Sequence, residues 1–65
     1  MINQHVVPHS EGWAVKREGG IKATSVFITK KEATKEAEKI AKNKKSELIV
    51  HNRTGRIMSR NSYAN

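Results

Sequence analysis

Ile28-Thr29-Lys30-Lys31-Glu32-Ala33 is the stretch on which the fold turns. A threonine stands where its side chain can cap the amide of the third helical residue, and Glu32 at that position can reach back to the threonine amide, the reciprocal pattern of a capping box. Ile28 before the cap and Ala33 at the fourth helical position have the spacing of a hydrophobic staple. A helix therefore starts at Lys30. Ala33, Ala37, Ile40 and Ala41 follow at i, i+4, i+7 and i+8, a narrow apolar stripe whose alanines imply close approach to a sheet. Lys42, Lys44 and Lys45 crowd the last turn, where positive charge favours the helix dipole, and Ser46 lies just past the end. The helix is predicted over residues 30–44.

Strands flank it on both sides. Upstream, Gly12-Trp13-Ala14-Val15-Lys16-Arg17 alternates Trp13 and Val15 against Ala14 and Lys16, as a half-buried strand does. A third strand is predicted over residues 21–28. Loop length sets its register: a three-residue Glu18-Gly19-Gly20 loop has Val15 facing Ala23 and Trp13 facing Ser25, so that Ile21, Ala23 and Phe27 share the face of Trp13, whereas a two-residue Gly19-Gly20 loop brings Val26 and Ile28 inward; the first is preferred because it buries the only Phe with the only Trp. Residues 4–8 carry two adjacent valines and end at a proline, which suggests a short edge strand. Downstream, residues 47–51 pair across an Asn52-Arg53-Thr54-Gly55 turn with residues 56–59, bringing Val50 opposite Ile57. Residues 60–65 are polar apart from Tyr63 and are expected to be only partly ordered.

These elements make one α+β domain over residues 1–65, in the order β-β-β-α-β-β, with an antiparallel sheet covered on one face by the helix. The expected core is Trp13, Val15, Ala23, Phe27, Ala33, Ala37, Ile40, Ala41, Leu48, Val50 and Ile57.

The order His5-Val6-Val7-Pro8, Gly12-Trp13-Ala14-Val15, Glu18-Gly19, Phe27-Ile28-Thr29-Lys30-Lys31-Glu32-Ala33, Ser46-Glu47-Leu48, Gly55-Arg56-Ile57 and Ser62-Tyr63 resembles a small bacterial family, domain of unknown function 2188. The resemblance covers nearly the whole chain. It implies a compact bacterial α+β domain, alone or attached to others. The family carries no established activity and no agreed functional residues to transfer.

Composition narrows the job by exclusion. At 65 residues folding buries only about 60% of the surface the chain exposes when unfolded, which leaves little room for an enclosed substrate pocket. An enzyme is not expected, and neither is a small-molecule substrate or a cofactor. There is no cysteine and no aspartate, so disulfides, thiolate nucleophiles and Ser-His-Asp arrangements are absent. No apolar run exceeds three residues, far short of the ~20 that span a bilayer, and the N-terminus does not resemble a secretory signal. No membrane association and a cytoplasmic location are the expectation. Asn52-Arg53-Thr54 matches a glycosylation acceptor but is read as a turn.

Charge is the feature with functional weight. Thirteen lysines and arginines against six glutamates give a net charge of +7. Residues 1–29 contribute +1 and residues 30–65 contribute +6, and no acidic residue follows Glu47. Arg53, Arg56 and Arg60 therefore lack local compensation, and arginines on a turn pair bidentately with phosphate oxygens. The expected partner is a DNA or RNA backbone. It would be contacted by Arg53, Arg56 and Arg60, and secondarily by Lys16, Lys22, Lys42, Lys44 and Lys45. Helix lysines interleaved with Glu32, Glu36 and Glu38 serve solubility equally well. Trp13 and Phe27 read as core, leaving only Tyr63 to stack on a base, which disfavours single-strand recognition.

Two other chemistries are weighed against this. His5 and His9, with Glu11 nearby, invite a metal, but on a strand the two histidines stand about 13 Å apart; no metal is expected. His51 beside the turn can add positive charge below neutral pH. The alternative function is protein interaction or homodimerisation, through an apolar patch of Val6, Ile49 and Met58 on the sheet face away from the helix.

Overall fold

The computed structural model describes residues 2–64. Its elements are β1 (Gln4–His9), β2 (Gly12–Arg17), β3 (Ser25–Phe27), α1 (Lys30–Lys44), β4 (Glu47–His51) and β5 (Ile57–Ser62). One helix lies on one face of a five-stranded sheet of order β3-β2-β1-β4-β5. The domain is α+β, as the sequence implies.

The sheet is mixed, not purely antiparallel. β1–β2, β2–β3 and β4–β5 are antiparallel, but β4 runs parallel to β1, pairing Gln4 with Leu48, His5 with Ile49 and Val6 with Val50. The cause is topological: α1 returns the chain to the end of the sheet where β1 starts, so β4 enters beside β1 in the same direction. β1 is thereby a central strand and not an edge. Pro8 is tolerated because the parallel ladder stops at Val6, and its missing N–H falls beyond the last pairing with β4.

α1 occupies the predicted residues. Thr29 is extended (φ −113°, ψ 151°) and its hydroxyl accepts from the Glu32 amide at 3.2 Å. The reciprocal bond runs from the Thr29 hydroxyl to Glu32 Oε1 at 2.9 Å, not from the threonine amide. The staple does not form, since Ile28 is 83% exposed. At the other end Lys45 adopts the left-handed conformation (φ 52°, ψ 48°), and the amide of Ser46 bonds the Ala41 carbonyl at 2.9 Å, closing the helix with a Schellman-type turn.

Ala33, Ala37 and Ala41 are fully buried against Val6, Trp13, Val15, Leu48 and Val50, with Phe27, Ile40 and Tyr63 at the margin. Three expected placements change. Trp13 pairs with Phe27 and Val15 with Ser25, two residues further on than the short loop predicts; the parity is unchanged, so Phe27 keeps the face of Trp13. Residues 18–24 form a longer loop, leaving Ile21 93% exposed and Ala23 outside the core cluster. A bulge at Val50/His51 sets Val50 opposite Ser59 and Ile57 opposite His51, which turns Ile57 out of the core.

The C-terminal segment continues the sheet and returns to the helix. Arg60, Asn61 and Ser62 complete β5, the Tyr63 amide bonds the Ser46 carbonyl at 3.0 Å, and the Tyr63 hydroxyl donates to Glu38 at 3.2 Å. Asn65 lies outside the described residues. Among those residues no helix is long and apolar enough to cross a membrane.

Candidate polyanion-binding face

Side chains alternate across a strand, so the residues that do not face α1 share the other side of the sheet. His5 and Val7 project there from β1, Lys16 from β2, Ile49 and His51 from β4, and Arg60 from β5. The registers place Lys16, His5, Ile49 and Arg60 in one row across four strands. Lys16 and Arg60 are three strand spacings apart, about 14 Å. Within this row Ile49 is buried between its longer neighbours, and a shallow groove of about 390 Å³ is lined by His5, Val7, Lys16, Glu18 and His51 among others.

A chain of contacts crosses the groove. Glu18 Oε1 lies 3.1 Å from His5 Nε2, His5 Nδ1 lies 2.9 Å from His51 Nε2, and His51 Nδ1 lies 2.9 Å from the Gly55 carbonyl oxygen. The two rings are 5.2 Å apart and inclined by 31°. The Glu18 carboxyl is held below its ordinary value of 4.5, chiefly by the hydrogen bond from His5 and then by the bond from Asn3 Nδ2. This chain links residues 5, 18 and 51, and no spacing in the sequence announces it. Its only signal is the β1–β4 pairing, which an antiparallel assignment conceals.

Of the cations expected at the site, Arg53 and Arg56 lie on the β4–β5 turn. Asn52 Oδ1 organises that turn by accepting from the amides of Thr54 and Arg56, each at 3.0 Å, and from the Thr54 hydroxyl at 2.7 Å. Among the described residues no carboxylate lies within ion-pair distance of Arg53 or Arg56. Arg60 Nε is 3.6 Å from Glu47 Oε1, the arginine exposed and the glutamate half-buried, a pair open enough to solvent to contribute little to stability.

Lys22, Lys42, Lys44 and Lys45 sit at the opposite end of the sheet, separated from the turn by the length of β4, about 16 Å. Lys42 is also engaged, 3.7 Å from Glu38 and 5.5 Å above the Tyr63 ring. The eight expected cations therefore divide into a hairpin-and-sheet group (Arg53, Arg56, Arg60, Lys16) and a separate group, Lys42, Lys44 and Lys45 at the C-terminal end of the helix and Lys22 in the loop between β2 and β3.

The expected apolar docking patch is not assembled. Val6 faces α1 and is fully buried, because β1 is central, and Ile49 is covered by its neighbours. Met58 is exposed, but its sulfur receives Lys30 Nζ at 3.0 Å, on the helix side, where Lys30 also lies 5.4 Å from the Trp13 ring. His5 approaches His51, whereas His9 accepts from the Glu11 amide at 3.1 Å.

Comparison with known proteins identifies a family without adding an activity. The family model described as "Uncharacterized protein conserved in bacteria (DUF2188)" matches residues 4–63. The uncharacterized protein YdaT of Bacillus subtilis (strain 168) is 44% identical over 54 residues, which cover 83% of this chain and 36% of that protein. The chain thus spans about a third of the length of that relative. No solved structure matches it.

Proposed function

The chain belongs to the bacterial family of domain of unknown function 2188, and from that premise, which brings no activity with it, we propose that it is a non-enzymatic module binding the phosphate backbone of nucleic acid. The contact surface is the β4–β5 hairpin with the adjoining sheet face. Arg53 and Arg56 reach phosphate oxygens from the turn, and Arg60 and Lys16 extend the contact across the sheet.

The observation that supports it is the hairpin itself: three arginines on one element, two of them with no carboxylate in ion-pair range among the described residues, presented by a turn that Asn52 holds in shape. Guanidinium groups suit bidentate phosphate contact. Lys22, Lys42, Lys44 and Lys45, at the far end, fall outside the surface.

Anisotropy titrations of duplex and single-stranded oligonucleotides at two ionic strengths test this. Arg53→Ala/Arg56→Ala should weaken binding whatever the sequence and reduce the slope of log K against log salt by about 2. Lys42→Ala/Lys44→Ala should leave that slope nearly unchanged. No affinity at low salt, or equal losses from the two double variants, would overturn the proposal.

A further inference from the structure

The contacts joining Glu18, His5, His51 and Gly55 set a requirement on protons. A carbonyl oxygen only accepts, so the hydrogen of His51 sits on Nδ1 and its neutral ring presents a lone pair at Nε2. An ionised carboxylate also only accepts, so His5 must donate from Nε2. Were His5 neutral, its Nδ1 would then turn a second lone pair toward His51 Nε2 across 2.9 Å. Three contacts need three N–H groups, and two neutral imidazoles supply two.

We infer that the His5–His51 pair binds one proton between its facing nitrogens, and that this proton fastens the β4–β5 turn and the start of the 18–24 loop to the two central strands. With the proton bound, His5 donates both ways and every acceptor in the chain is served. Without it, one of the three contacts must be given up, whichever tautomers the two rings adopt, and the loop or the turn loses its connection across the β1–β4 seam.

The surroundings carry charge of both signs. Lys16 and Arg17 on β2 and Arg60 on β5 oppose a further positive charge, while Glu18 favours it and Glu47 on β4 offsets Arg60. Glu18 stays ionised well into the acid range, because its hydrogen bonds stabilise the carboxylate, so its role as acceptor is not interrupted near neutrality. Among the described residues no group of three metal-ligating side chains forms, and a proton is the cation that two nitrogens alone hold well.

One consequence rests on the function proposed above. The proton places an additional charge between Lys16 and Arg60 and steadies the turn that carries Arg53 and Arg56. Backbone affinity should then be about threefold higher with the proton bound, the effect of one unit charge on a phosphate ~7 Å away through water.

Long-range proton–nitrogen NMR of the imidazoles across a pH titration tests the inference, with oligonucleotide affinity measured on the same samples. The expected pattern is a doubly protonated His5 beside a His51 that carries its hydrogen on Nδ1, the two rings changing state together. Glu18→Gln, whose amide can donate to His5 Nε2, should abolish the doubly protonated His5 over the same pH range while leaving the fold intact. Two rings that take up protons independently would overturn the inference. So would stoichiometric uptake of Zn²⁺ or Cu²⁺ with loss of the linked pattern, which would assign the facing nitrogens to a metal. If the NMR pattern holds and no oligonucleotide binds at any pH, the proton site stands and nucleic-acid binding does not. If oligonucleotides bind while His5 stays singly protonated throughout, binding stands and the proton site does not.

Discussion

Gly12→Ala isolates the contact that holds β2 against β3. Gly12 has φ 137°, and a Cβ there would stand 2.2 Å from the Phe27 carbonyl oxygen, 2.9 Å from the Ile28 carbonyl oxygen and 3.0 Å from the Ile28 Cα. All three are backbone atoms, so no rotamer change relieves the overlap. The end of β3 must retreat by about 1 Å to restore ordinary contact. Backbone strain at such a position costs about 1–3 kcal/mol. Drawing the half-buried Phe27 away from Trp13 adds about 1 kcal/mol of lost burial. The expected destabilisation is about 2–4 kcal/mol, a large share of what a domain this small has.

Gly19→Ala is the matched control. Its φ is also positive, 79°, but nothing lies within 4 Å of the added Cβ, so only the conformational term of about 1–2 kcal/mol applies. Urea unfolding of both variants, followed by Trp13 fluorescence, reads the difference. If Gly12→Ala proves no less stable than Gly19→Ala, the close approach of β2 to the end of β3 is refuted.

Two more outcomes are expected. Lys45→Gly relieves the left-handed C-cap and should stabilise the domain by about 0.5–1 kcal/mol in the same urea assay, while oligonucleotide affinity changes little because Lys45 lies away from the hairpin. The Glu18 carboxyl should titrate below 4.5 by carbon-13 NMR. Because its folded value is depressed, its contribution to stability is present above the ordinary glutamate range and lost as pH falls through the depressed value, so thermal melts of Glu18→Gln should show a flatter acid limb.

Local signals were strong where the physics is local. Thr29, Glu32 and the alanine stripe located α1 to the residue, since capping and periodicity act within a few positions. Trp13 and Phe27 share one face, as the alternation implies, even though the loop between them is longer than predicted, because a slip of two residues preserves parity. Ile57 departs from its expected face for the converse reason: the bulge inserts one residue and reverses the face. The parallel seam was not legible because nothing local to residues 4–8 or 47–51 distinguishes a central strand from an edge. Pro8 argued for an edge, and only the extent of the ladder explains why it does not need one. The histidine chain was hidden for the same reason, since it exists only once that seam is formed. The charge excess was legible, but its division between two ends of the sheet follows from the length of β4 and has no trace in composition.

The β1–β4 pairing also bears on how the molecule assembles. Three of the four strand pairings join neighbours in the chain and can zip as they emerge, whereas Gln4 meets Leu48 only after everything between them has been laid down. Closing so long a loop for three residue pairs is slow and entropically expensive. The N-terminal meander and the C-terminal hairpin should therefore exist as separate, fluctuating pieces until α1 brings them into register, and the rate-limiting event in folding should be the docking of one upon the other.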